Sequence, residues 1–228
     1  MKAVDLLGIN ERKEKEKEIR RNDIIDAAER IFFTKGYDNA TMDDVAKEAE
    51  FSKRTVYVYF NSKEQIYFEI MIRGYKLLIG ILKDDLQKEK ACNAIEEIRQ
   101  IALTLYRFSK DYPEYFKAIM EYENGELDFQ KGVPDQAREE CYALGEEILG
   151  HLIGVLEKGM KEDSIRSDLD VVKTALVLWA CMIGVFNIAK RKANYLKNYH
   201  MTTPEELISA AFQLIFRSMQ TENRGNER

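Results

Sequence analysis

Three prolines and 12 glycines are all the strong punctuation in 228 residues. An all-β sandwich needs a turn signal roughly every 8–12 residues, so this chain is too sparsely broken to be one. Hydrophobic residues make up 45% and charged residues 33% of the chain, which supports a packed core and excludes wholesale disorder. The expected class is all-α, with about nine helices.

Local signals place those helices. From Asp23, the residues Ile24, Ala28, Ile31 and Phe32 share one face, and Gly36 ends that helix. Thr41-Met42-Asp43-Asp44 opens a short second helix, with two carboxylates at its positive end. Ser52 caps a third over about 53–59, and Ser62-Lys63-Glu64-Gln65 opens a fourth that runs to about Asp85. A fifth covers about 93–110, a sixth starts at Pro113, and 125–134 reads as a loop. A seventh covers about 135–161, and an eighth runs from Asp168 or Asp170 to about Tyr195. Thr203-Pro204-Glu205-Glu206 begins the ninth, with a cap, a proline at the first position and an acid at the third.

Several chemistries find no support. Cys92, Cys141 and Cys181 are far apart and form no CxxC pair, so they build neither a disulfide framework nor a zinc site. The first ten residues lack a secretory apolar run, and a cytoplasmic location is expected. Ala175 to Ala189 is apolar but shorter than the roughly 20 residues of a membrane span. It reads as a helix buried on all sides, against a second subunit, and no membrane partner is expected. Glu147 and His151 could share a metal at i,i+4, but a polar pair is the simpler reading; no metal and no cofactor are expected. Gly145, Gly150 and Gly154 read as close-packing positions within a helix. The acids Glu121, Glu123, Glu126 and Asp128 read as solvated charge. No Ser-His-Asp or Cys-His arrangement points to an enzyme.

The functional signal lies near the N-terminus. Two short helices separated by about three residues form a helix-turn-helix, and the second helix keeps a polar outer face. Ala46 and Ala49 permit close approach, while Val45, Phe51, Val56 and Phe60 fill the joint. The outer face carries Lys53, Arg54, Thr55, Tyr57 and Tyr59. Between Ser52 and Lys63 there are three cations and no acid, although the whole chain has a net charge of −5. Nucleic-acid binding must therefore rest on this local patch. The run ERKEKEKEIRR, residues 11–21, reads as a solvated helical extension or as a basic arm reaching DNA, with Arg20 and Arg21 its best contacts. From geometry alone, an amphipathic hairpin in a ligand-binding or interaction module without DNA affinity is the alternative.

Residues 24–68, above all TMDDVAKEAEFSKRTVYVYFNSKEQIY, resemble the N-terminal domain of tetracycline-repressor (TetR) family regulators. The resemblance implies an all-α homodimer, with a DNA-binding domain over 1–64 and an effector-binding and dimerisation domain over 65–228. It implies a repressor released from a palindromic operator by a small apolar or aromatic effector. Carried onto this sequence, Arg21, Thr41, Ser52, Lys53, Arg54, Thr55, Tyr57, Tyr59 and Lys63 become the expected DNA contacts, with Thr41 and Lys63 on phosphates. Glu50 stands where the family usually has glycine in the turn, and Asp43 where some members carry a basic base-reader. The resemblance also implies an effector cavity; Tyr75, Leu78, Leu82, Phe108, Phe116, Met120, Trp179, Met182 and Phe186 are its expected lining. Helices eight and nine are expected to pair across a two-fold, and helix four to carry the signal from cavity to DNA.

Overall fold

The computed structural model describes residues 2–123 and 136–221, with side chains over 10–120 and 136–221. Among the described residues all regular elements are helices: α1 (Lys2–Lys35), α2 (Met42–Glu48), α3 (Lys53–Tyr59), α4 (Lys63–Lys88), α5 (Ala94–Asp111), α6 (Pro113–Glu123), α7 (Gln136–Lys161), α8 (Val171–Arg191), α9 (Ala193–His200) and α10 (Pro204–Met219). The expected loop over 125–134 lies outside the described residues, as do the side chains of Glu121, Glu123, Glu126 and Asp128.

The expected caps form. Thr41 and Thr203 each close a capping box, Ser52 and Asp170 each accept from a backbone N–H of the first turn, and Gly36 stops α1 at φ 81°; Asn93, not foreseen as a cap, accepts likewise. The charge run is a helical extension, the first of the two readings above, and is continuous with α1, which starts at Lys2. Glu and Lys are good helix formers, so nothing in the run breaks the helix. The expected eighth helix is two, because Lys192 leaves the helical region at φ −117°, ψ 20°. Lys190, Arg191 and Lys192 crowd cations at the negative end of α8, which favours a stop that neither glycine nor proline announces. The ninth helix of the sequence reading is therefore α10.

The chain forms two compact units. The first takes the chain through Gly74 together with the start of α7 up to Cys141; the second takes Tyr75 onward and the chain from Tyr142. The first unit is centred on Ile24, Ala28, Val45, Val56, Ile66 and Ile70, each fully buried. In the second unit, α8 packs on α10 and on α5, and Phe186 meets Tyr106 and Phe212 with ring centroids at 5.4 and 6.2 Å.

One close approach differs from expectation. A Cβ on Gly150 or Gly154 would meet nothing within 4 Å, and one on Gly145 would only touch the Tyr75 hydroxyl at 3.6 Å. The tight contact is at Gly159, where a Cβ would stand 2.5 Å from Ile165 Cδ1 and 2.7 Å from Ala94 Cβ. Helical spacing cannot show this, because the loop carrying Ile165 folds back after α7 ends.

Candidate DNA-binding face

The turn between α2 and α3 is built on Glu50. Its φ of 57° is left-handed, as its place in the turn implied. Phe51 N–H donates to the Ala46 carbonyl (2.9 Å) and Glu50 N–H to that of Lys47 (3.2 Å). This double closure satisfies carbonyls that the end of α2 leaves open. It turns the chain so that Ser52 can cap α3, with Ser52 Oγ 3.0 Å from Thr55 N and 2.8 Å from Thr55 Oγ1.

With Val56 fully buried, α3 presents Lys53, Arg54, Tyr57 and Val58 outward. Lys53 is paired with Asp43 of α2 at 2.8 Å. Arg54 is exposed. Tyr57 is 44% and Val58 74% exposed. Tyr59 is half-buried, and the Ser52 and Thr55 hydroxyls serve the cap. Val58 was left out of the outer face in the sequence reading. Its exposure follows from the 3.6-residue period, which places it beside Arg54.

Three expected contacts are engaged within the protein. Lys63 Nζ donates to the carbonyls of Tyr37 (2.7 Å) and Ala40 (3.0 Å) and sits 4.2 Å from the Tyr37 ring centroid. It therefore clamps the link between α1 and α2 and does not stand free for a phosphate. The Arg21 guanidinium donates to Glu69 and lies 5.1 Å from the Phe60 ring centroid. Thr41 Oγ1 accepts from the Asp44 N–H (3.1 Å) and the Thr41 N–H donates to Asp44 Oδ2 (3.0 Å), closing the box, and the Thr41 hydroxyl also donates to Asp44 Oδ2 (2.9 Å). Lys35 and Thr41 bonded to Asp44 hold its carboxyl at about 2, well below the ordinary carboxylate value. Burial, with Glu64 and Asp38 nearby, pushes the Tyr37 phenol up to about 12, so it stays neutral beside Lys63.

Two short capped helices, a closed turn and an exposed cationic outer face form a helix-turn-helix sized for the major groove. Residues 24–70 match the family model of bacterial regulatory proteins of the tetR family. Over these residues the chain carries a DNA-binding domain of the tetR-family type. It is similar to IcaR of Staphylococcus aureus, the negative transcriptional regulator of the biofilm operon icaADBC, at 29% identity over 56% of this chain and 67% of that protein. It is also similar to the HTH-type transcriptional regulator YhgD of Bacillus subtilis, at 28% identity over 73% of this chain and 82% of that one. The fold matches that of AibR, solved with isovaleryl coenzyme A and operator DNA, with a TM-score of 0.62 and 18% identity over 86% of this chain and 98% of that one.

The regulator's expected effector residues all belong to its second unit. Tyr75, Leu78, Leu82, Phe108, Phe116, Met120, Met182 and Phe186 are buried and Trp179 is half-buried. A groove of about 290 Å³ lies elsewhere, between α8 and α10, against Thr174, Val177, Cys181 and Ile215. Glu147, considered above with His151 for a metal, instead accepts from Lys83 at 2.9 Å.

Proposed function

We propose that this regulator is a cytoplasmic repressor that grips a palindromic operator as a homodimer. It releases the operator when a small apolar or aromatic molecule enters the second unit. Operator contact is assigned to Lys53, Arg54, Tyr57 and Val58 of α3. The observation that carries the dimer is the outer side of α8. Val172, Leu176, Val177 and Ile188 are 49–60% exposed there, and Leu214 of α10 is 70% exposed. By length and composition α8 could cross a membrane, yet Ala175, Leu178, Met182 and Phe186 pack it into the second unit. An apolar patch of this kind marks an interface. Pairing α8 and α10 across a two-fold makes a four-helix bundle, and a two-fold protein reads a palindrome.

The buried aromatic and methionine side chains of the second unit support this effector class, and AibR, of the same fold, was solved with isovaleryl coenzyme A, whose acyl end is a short apolar chain. Such sites are mostly apolar with few polar anchors. The proposed link to DNA is α4, which is continuous over 26 residues. For the ligand to release DNA it must bind the non-DNA conformation better, with a coupling of about 1–3 kcal/mol. The test is a mobility shift against the DNA upstream of the regulator's own gene, repeated with a panel of short and long acyl coenzyme A thioesters and simple aromatic acids. A shift reversed by one of these probes supports the reading. A shift that none reverses contradicts the effector class, and a monomer by sedimentation at micromolar concentration contradicts the dimer.

A further inference from the structure

The middle turns of α1 carry their cations segregated on one face. Residues 10–21 hold six cations (Arg12, Lys13, Lys15, Lys17, Arg20, Arg21) and four carboxylates (Glu11, Glu14, Glu16, Glu18). At about 100° per residue, Lys13, Lys17, Arg20 and Arg21 fall within about 100° of one another, with no carboxylate between them. Glu11, Glu14 and Glu18 fall within about 60° on the adjoining face. Like charges stand at i,i+4 in Lys13–Lys17, Lys17–Arg21 and Glu14–Glu18 and opposite charges in Glu11–Lys15, Arg12–Glu16 and Glu16–Arg20, so segregating the cations on one face brings the helix no net gain of its own. The ion pair within the run, Lys17 to Glu14, is long at 4.0 Å, and Lys13 and Arg20 are exposed.

The stripe has a direction. Ile24, fully buried, follows Arg20 by four residues and Arg21 by three, so the cations continue the face that α1 turns toward the rest of the first unit. Arg21 already lies on Phe60, the residue that ends α3. The stripe therefore starts beside the recognition helix and runs away from it along α1.

We infer that Lys13, Lys17 and Arg20 form a second DNA-binding surface, which engages backbone phosphates flanking the bases that α3 faces. The inference rests on the regulator's DNA binding and extends it to a surface outside the helix-turn-helix. Phosphate contacts add affinity and salt dependence without base preference. From Lys13 to Arg21, α1 rises about 12 Å, or about three to four base pairs of duplex.

The experiment uses the full-length protein and an operator selected from random duplexes. Lys13→Gln/Lys17→Gln/Arg20→Gln is compared with the parent and with Arg12→Gln/Lys15→Gln, which neutralises cations off the stripe. Glutamine keeps the helix. Affinity is measured against salt on the minimal operator and on one with about ten added base pairs at each end. The triple variant is expected to lower the slope of log K against log salt by about 2–3 per protomer on the long duplex. It is expected to match the parent on the short duplex and in base preference, and the control pair to follow the parent throughout. An unchanged slope for the triple variant on the long duplex overturns the inference, as does an equal drop in the control. A parent that selects no operator overturns the DNA-binding reading as well.

Discussion

Lys53 Nζ stands 2.8 Å from the Asp43 carboxylate, so the first residue of the recognition helix is tied to the helix before it. Both side chains are more than half exposed. The carboxylate holds a cation in place and also puts a negative charge beside the DNA path. Asp43→Asn removes the charge and keeps the shape. We expect tighter binding to all duplexes and a salt slope steeper by about one unit, because Lys53 is freed for phosphate. A competition titration over several salt concentrations measures both. Weaker binding would show that Asp43 positions Lys53 and does not compete for it.

Lys63 gives a prediction of opposite kind. Its ammonium holds the carbonyls of Tyr37 and Ala40, so its loss is a loss of stability. Lys63→Met is expected to cost about 1 kcal/mol in a denaturant titration and to leave the salt slope unchanged. If it lowers the slope by about one unit at unchanged stability, Lys63 is a phosphate contact after all.

Glu50 holds φ at 57° without being glycine. Left-handed backbone costs a residue with a Cβ about 1–2 kcal/mol, and glycine gives back part of that through its freer unfolded chain. Glu50→Gly is expected to stabilise the protein by up to about 1 kcal/mol in the same titration. Destabilisation would mean that the carboxylate makes a compensating contact in the native state.

Val58 is 74% exposed in a short helix where valine is a poor helix former. An outward methyl pair in the major groove matches the thymine 5-methyl group. Val58→Ala is expected to weaken selected operator DNA several-fold, and replacing one particular thymine with uracil should weaken the parent to the same extent. The two changes together should cost no more than either alone. Additive losses would place Val58 away from that base.

How much of this could be read in the sequence depended on how local each signal was. The caps at Thr41, Ser52, Asp170 and Thr203 are fixed by side chains within three residues, and all were legible. So was the left-handed Glu50, through the resemblance, because it stands where the family usually has glycine. Contacts set by chain segments far apart were not legible. Lys63 looked like a phosphate ligand because nothing within ten residues shows that the carbonyls of Tyr37 and Ala40 fold beneath it. Gly159 was missed for the same reason, since Ala94 and Ile165 reach it from separate segments. Val58 was left out of the outer face, although the helical period places it beside Arg54. The break at Lys192 was missed because only its cluster of cations marks it, with no glycine or proline beside it.

The central claim is that the outer face of α3 binds DNA. The most direct measurement compares parent and Arg54→Ala for binding to the upstream DNA and to an unrelated duplex of equal length. Arg54 is exposed and no cap or core contact explains it, so the fold should survive, which circular dichroism and a melting curve verify. We predict that the parent prefers the upstream duplex and that Arg54→Ala loses about 1–3 kcal/mol of that preference. Equal preference in a folded Arg54→Ala variant would contradict the account.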